Sequence, residues 1–118
     1  MFEKNGSDLR KSTVMKQAPL DAFQVIADPS RRHMLRMLSK NNMTINALAE
    51  NFEMSRPAVS KHVKLLHLAG FISITDIGRE RFCTLKKEGF KEVQGFIDFF
   101  DKFWTEKLGK LQSILNKK

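Results

Sequence analysis

The stretch TINALAENFEMSRPAVSKHVKLLHL, residues 44–68, decides the fold. Thr44 is a good N-cap residue for one short helix, and Ser55 is a good N-cap residue for a second. Behind each cap, apolar residues recur at the spacing of an amphipathic helix. They are Ile45, Leu48, Ala49 and Phe52 in the first helix, and Val59, Val63 and Leu66 in the second. The sequence therefore predicts two capped helices joined by a tight turn.

The outward face of the second helix carries cations and no acid. Opposite its apolar stripe project Arg56, Ser60, Lys61 and Lys64. A helix that enters the major groove of DNA needs such a face, with small side chains for close approach and long donors for base edges and phosphates. The alternative is an ordinary amphipathic helix whose basic face is only solvated.

Two further helices are predicted before this unit. The first spans residues 19–28 with Pro19 in its opening turn, and Pro29 begins the second. Residues 1–17 are mixed in charge and show no sustained period. They are therefore predicted to form a flexible N-terminal arm on a domain at 18–118.

A hairpin and a long helix are predicted after the unit. Residues 71–75 and 81–85 are β-prone and are separated by a turn that contains Gly78. The helical period returns over residues 88–115. The predicted fold class is mainly α with a small β-hairpin, in the order α-α-α-α-β-β-α.

The turn of the hairpin carries two arginines. Arg79 and Arg81 flank Glu80 just beyond the turn glycine. A hairpin of this kind can place Arg79 in the minor groove or against the DNA backbone, with Arg81 the weaker candidate. The alternative is a surface turn with a local ion pair. The residues expected at DNA are Thr44, Ser55, Arg56, Ser60, Lys61, Lys64, Arg79 and Arg81.

The last predicted helix carries more apolar surface than a domain of this size can bury. An exposed apolar face this large usually marks an interface. We expect a homodimer, which would place two copies of the cationic helix about 34 Å apart, one turn of DNA. A membrane-surface helix is the alternative, and the acids along this helix argue against it. The interface residues expected here are Phe96, Phe100, Phe103, Trp104, Leu108 and Leu111.

The composition agrees with a polyanionic partner. The chain has 118 residues and a formal charge of +8, from 21 Lys and Arg against 13 Asp and Glu. Such an excess favours nucleic acid or an acidic membrane surface. The single cysteine, Cys83, excludes an internal disulfide and fits a reducing cytoplasm, where it is expected to be a structural thiol. No apolar run approaches the length of a bilayer, so no membrane association is expected.

Enzymatic and metal sites are not predicted. No nucleophile–base pair, phosphate-binding glycine loop or pair of carboxylates in a plausible pocket can be assembled. No two of the three histidines have the i, i+4 spacing of a helical metal site. We therefore expect neither enzymatic activity nor a cofactor.

Four motifs give the sequence a family resemblance. They are ADPSRR at 27–32, SRPAVSKH at 55–62, LAGF at 68–71 and GRERF at 78–82. In this order and spacing they resemble the ArsR-type family of winged helix-turn-helix repressors. The resemblance implies a reading helix at 55–67, a wing at 72–84 and a homodimer that represses from a roughly palindromic operator on double-stranded DNA. It also implies an interface between the first and last helices, which would include Leu20 and Phe23.

The sequence departs from the metal-sensing members of that family. Those relatives use a cysteine-rich motif on the third helix, or histidines and acids on the last one. Residues 44–50 contain no cysteine and residues 88–115 contain no histidine. The metal-sensing role is therefore not carried over, and the sequence does not identify a small-molecule inducer. The alternative function is a winged-helix module that binds another protein through its basic face.

Overall fold

Within residues 20–116, which the computed structural model describes, five helices and three strands follow one another along the chain. The strands form one antiparallel sheet in the order β1-β3-β2. This is the mainly helical fold with a β-hairpin that the sequence predicts, and the arm expected at 1–17 lies outside the described residues. The elements are α1 (Ala22–Ile26), α2 (Pro29–Leu38), β1 (Met43–Thr44), α3 (Ile45–Ala49), α4 (Arg56–Leu68), β2 (Ile72–Ile77), β3 (Glu80–Leu85) and α5 (Glu88–Asn116).

A side-chain cap sets the start of each of the first four helices. The side chains of Asp21, Asp28, Thr44 and Ser55 each accept a hydrogen bond from the backbone N–H three residues further on, at 2.8, 3.0, 3.0 and 3.2 Å. These bonds satisfy N–H groups that have no partner inside the helix. The caps predicted at Thr44 and Ser55 are therefore present.

The first helix is shorter than predicted. It spans Ala22–Ile26 and not 19–28, because Asp21 and Gln24 form a reciprocal capping box that fixes its start. Asp28 adopts an extended conformation and caps α2, so the chain has already left α1 at that point. Pro19, predicted in the opening turn, lies outside the described residues.

The sheet has one strand more than the predicted hairpin. β1 pairs with β3 in the register Met43↔Cys83 and Thr44↔Phe82. A strand of two residues is too short to show the alternation by which strands are recognised in a sequence. Its consequence is that the start of α3 is attached to the wing by backbone hydrogen bonds.

The core lies between α1, α2, α3, α4 and the sheet. All three residues of the stripe predicted for α4, Val59, Val63 and Leu66, are buried there. Cys83 is buried among them, and this burial raises the pKa of its thiol, although the charge of Arg81 acts in the opposite direction. A buried, protonated thiol agrees with the structural role expected for it.

Gly89, in the first turn of α5, is buried, and replacing it tests how this helix packs on the core. A Cβ on Gly89 would lie 2.8 Å from two ring carbons of Phe71 and 3.0 Å from the carbonyl oxygen of Ala69. We expect Gly89→Ala to lower the free energy of unfolding by about 1–3 kcal/mol, because overpacking forces these neighbours apart. Urea denaturation measures this change.

Gly95→Ala is the matched control in the same helix. A Cβ on Gly95 meets nothing within 4 Å. This variant should raise the free energy of unfolding by up to about 1 kcal/mol, since alanine favours the helix. An increase in the free energy of unfolding in Gly89→Ala, like the one expected in Gly95→Ala, would show that the contact between Gly89 and Phe71 is not tight.

Candidate nucleic-acid interface

The helix α4 presents a basic face opposite its buried stripe. Arg56, Lys61 and Lys64 are exposed and Ser60 is half-buried. No acid occurs anywhere in α4. The sequence prediction of a cationic, acid-free surface therefore agrees with the exposure of these side chains.

Arg56 is held in place from two sides. Its Nε donates to Oδ1 of Asn46 in α3 at 2.6 Å, and its Nη1 donates to Oγ of Ser60, one turn along α4. Among the described residues, Nη2 has no partner, and Nη1 has a second hydrogen to donate. The guanidinium therefore keeps an N–H donor on each of its two terminal nitrogens, and a pair of such donors is what O6 and N7 of guanine accept.

Asn46 is a site residue that the sequence analysis did not select. It lies in α3, and its contact with Arg56 spans the turn between α3 and α4. The apolar periods of α3 and α4 do not reveal this contact, because it depends on the angle between the two helices. The only local signal is an exposed polar residue near the N-terminus of α3.

A cavity of ≈ 490 Å³ lies between α4 and the hairpin. It brings together four of the predicted residues, which are Arg56, Ser60, Lys64 and Arg81. Its remaining wall is largely apolar, with Val63 and Ile74 among the lining residues. A concave surface with three cations at this position suits a DNA backbone that runs between the helix and the wing.

The two arginines of the wing differ in their surroundings. Nε of Arg81 lies 3.1 Å from Oδ1 of Asp76, and both side chains are more than half exposed. The local ion pair that was the alternative for this turn is therefore present at Arg81, although exposed pairs of this kind contribute little to stability. Arg79 lies in the turn after Gly78, is exposed, and forms no ion pair with the described residues.

The other predicted DNA residues do not line the cavity. Thr44 and Ser55 use their hydroxyl oxygens to cap α3 and α4, which leaves their hydroxyl hydrogens available as donors. Thr44 is half-buried on β1 and Ser55 is exposed. Lys61 is exposed on α4, outside the lining of the cavity.

A second surface, the apolar face of α5, is uncovered. It includes all six residues predicted on this helix, with exposures that run from 39 % at Phe103 to 60 % at Leu108. Phe23 of α1 packs edge-on against Phe96, with ring centroids 5.1 Å apart, and Leu20 is 39 % exposed. The face also contains residues outside the predicted set, which are Ile97, Phe99, Ile114 and Leu115.

Neither a metal site nor a membrane span occurs within the same described residues. Between residues 20 and 116, no three His, Cys, Asp or Glu side chains lie close enough together to hold a metal ion. In the same part of the chain, every helix is too short or too polar to span a bilayer.

The helix-turn-helix of α3 and α4, followed by a β-hairpin with an arginine at its tip, defines a winged helix-turn-helix protein. A family model described as "Bacterial regulatory protein, arsR family" matches residues 28–73. The HTH-type transcriptional regulator Rv2034 of Mycobacterium tuberculosis is 32% identical over 92 residues, which are 78% of this chain and 83% of that protein. The crystal structure of the ArsR family transcriptional regulator RHA00566 is 36% identical with a TM-score of 0.67, and the match covers 71% of this chain and 87% of that one. The chain belongs to the arsR family of bacterial regulatory proteins and is a transcriptional regulator.

The chain is also similar to a transcriptional repressor and to a homodimeric DNA-binding domain. The transcriptional repressor SdpR of Bacillus subtilis is 40% identical over 53 residues, which are 45% of this chain and 59% of that protein. The homodimeric winged helix-turn-helix DNA-binding domain Mb0332 of Mycobacterium bovis is 16% identical with a TM-score of 0.56. That match covers 84% of this chain and 91% of that one, and it shows a likeness of fold.

Proposed function

We propose that this regulator is a homodimeric repressor that binds a roughly palindromic operator with α4 in the major groove. The observation that carries the proposal is the acid-free face of α4, on which Arg56 is fixed with its donors still available. The uncovered face of α5 and the homodimeric state of Mb0332 support a dimer. Repression is supported by the similarity to SdpR, and it requires only that the bound dimer exclude polymerase from a promoter.

The predicted residues are assigned to base contacts or to phosphate contacts by their length and position. Arg56 reads a base, with Ser60 and Lys61 on the same face. Lys64, in the cavity beside the wing, neutralises a backbone phosphate, and the cap hydroxyls of Thr44 and Ser55 donate to phosphates. Arg79 enters the minor groove or contacts the backbone. Arg81 contributes less, because Asp76 already compensates its charge.

The test of the function begins with DNA selected by the protein itself. Purified full chain is mixed with sheared genomic DNA, the bound fragments are sequenced, and the recovered sites are examined for an inverted repeat. Electrophoretic shifts on the recovered site and on a scrambled duplex then give the specificity. Protein that binds no duplex in dilute salt would favour the alternative, a winged-helix module that binds another protein.

A regulator that binds operator DNA works beside the chromosome, so the proposed location is the cytoplasm.

Lys64→Ala tests the phosphate contact. Loss of one ion pair with a phosphate should weaken binding to operator and random DNA alike and reduce the slope of log K against log salt concentration by about 1. Fluorescence anisotropy gives this slope when binding is measured at salt concentrations from about 50 to about 200 mM, where affinity depends strongly on phosphate contacts. Lys102→Ala, an exposed lysine of α5, is the control and should leave the slope unchanged; an unchanged slope in Lys64→Ala would remove this residue from the interface.

A further inference from the structure

Arg31, in the first turn of α2, joins α1 to the reading helix α4. Its Nε donates to the carbonyl oxygen of Val25 at 2.7 Å, and its Nη2 lies 3.5 Å from the carbonyl oxygen of Gln24, both in α1. Its Nη1 lies 3.0 Å from Nδ1 of His62 in α4. One half-buried guanidinium therefore bridges two helices that are not adjacent in the sequence.

The contact with Arg31 assigns the proton of the His62 ring. A guanidinium has only donors, so Nδ1 of His62 must be the acceptor and the ring proton must lie on Nε2. A planar guanidinium can hold a carbonyl and an imidazole nitrogen in fixed directions at the same time, whereas an ammonium group is a point charge without that geometry. Arg31 therefore constrains both the position and the rotation of α4 relative to α1.

Helix α1, which Arg31 contacts through Val25 and Gln24, also contacts the apolar face of α5. Phe23 in α1 packs against Phe96 in α5. A continuous series of contacts thus runs from α5 through α1 and Arg31 to α4. In a dimer held by α5, the orientation of α4 relative to α1 and α5 decides whether both reading helices can enter successive major grooves.

We propose that Arg31 is a positioning residue that, through His62, orients the reading helix for its operator. The inference rests on the proposed function, because it assumes that α4 reads DNA. Arg31 itself touches no base in this proposal. It should therefore affect the discrimination between operator and random DNA and not the electrostatic affinity that both share.

Arg31→Lys is the test, and Arg32→Lys is its matched control. Nη1 of Arg32 donates to the carbonyl oxygens of Ile26 and Ala27 at 2.8 and 3.0 Å, and among the described residues it has no partner in α4. Both variants keep the positive charge. We expect Arg31→Lys to bind operator about tenfold more weakly, with unchanged binding to random DNA, and Arg32→Lys to stay within about twofold of wild type.

Variants of His62 test the same contact from the side of α4. In His62→Asn the Oδ1 atom replaces the Nδ1 acceptor, so operator affinity should stay within about twofold of wild type. His62→Leu removes the acceptor and should reproduce the loss of about tenfold. Circular dichroism verifies that each variant is folded. Equal losses in the two histidine variants, or in the two arginine variants, would overturn the proposal.

A readout without DNA separates this inference from the proposed function. Long-range proton–nitrogen NMR of the full chain at pH 8 reports which ring nitrogen of His62 carries the proton, with His62→Asn identifying the signal. We expect the Nε2–H form in wild type and in Arg32→Lys, and a mixture of both forms in Arg31→Lys. The Nδ1–H form in wild type would refute the contact, whereas wild type that fails to prefer its selected site over random DNA would refute the proposed function.

Discussion

The double variant Phe100→Ala/Trp104→Ala should be monomeric at micromolar concentration. Both side chains are about half exposed in the single subunit and lie on the apolar face of α5, where Phe100 packs against Phe96 and Phe103. If the face is buried between two copies, the variant removes two aromatic side chains from each copy. Truncation of a fully buried Phe or Trp to Ala costs about 3–5 kcal/mol of stability. Sedimentation equilibrium measures the change in mass.

The same variant should bind its operator at least about 100-fold more weakly, because a monomer loses the advantage of holding two half-sites at once. Thr105→Ala/Gln112→Ala is the control: it places two alanines in exposed polar positions of the same helix. This control should remain dimeric. A dimer that survives the loss of Phe100 and Trp104 would move the interface away from α5.

Arg56→Ala is expected to lower the affinity for the operator by about 1–3 kcal/mol and to relax the preference at one base pair. The structural reason is that Arg56 is already oriented by Asn46 and Ser60, so little conformational entropy is lost when it meets a base. Titrations of the operator and of each single-base variant give both quantities. Equal losses on operator and random DNA would reduce Arg56 to a phosphate contact.

Two further substitutions separate base reading by Arg56 from the effect of removing a positive charge. Arg36→Ala removes one exposed arginine from α2 and should leave base preference intact. Asn46→Ala keeps Arg56 but frees its Nε, so an intermediate loss of operator affinity is expected. A loss in Asn46→Ala larger than in Arg56→Ala would instead mean that Asn46 contacts DNA directly.

Local chemistry explains why much of the fold could be predicted from the sequence. The caps at Thr44 and Ser55 depend on residues three positions apart, and the stripe of Val59, Val63 and Leu66 depends on one helical period. Both are properties of a single helix. The predicted helix at 88–115 likewise agrees with Glu88–Asn116, because a long apolar stripe needs no tertiary information.

Apart from the start of α1, which a local capping box fixes, the features that escaped prediction join separate elements of the fold. Strand β1 exists only because Thr44 meets Phe82 across the sheet. Asn46 approaches Arg56 only through the angle between two helices, and the bond from Arg31 to His62 crosses from α2 to α4. The sequence motif at 27–32 contains Arg31 but does not reveal its partner.

Dimerisation through α5, as proposed, would link the lifetime of this protein to its concentration in the cell. The helix has 29 residues and is about 44 Å long, yet every residue from Gln94 to Asn116 is exposed in the single subunit. Gly95 and Gly109 each disfavour a helix by about 1 kcal/mol, so burial against a second copy, as in the proposed dimer, would stabilise its distal turns. In the proposed dimer, association would add to the stability of each chain by mass action, and dilute subunits would leave this helix exposed to proteases. Scarce copies would be degraded faster than plentiful ones, and promoter occupancy would rise more steeply than in proportion to synthesis.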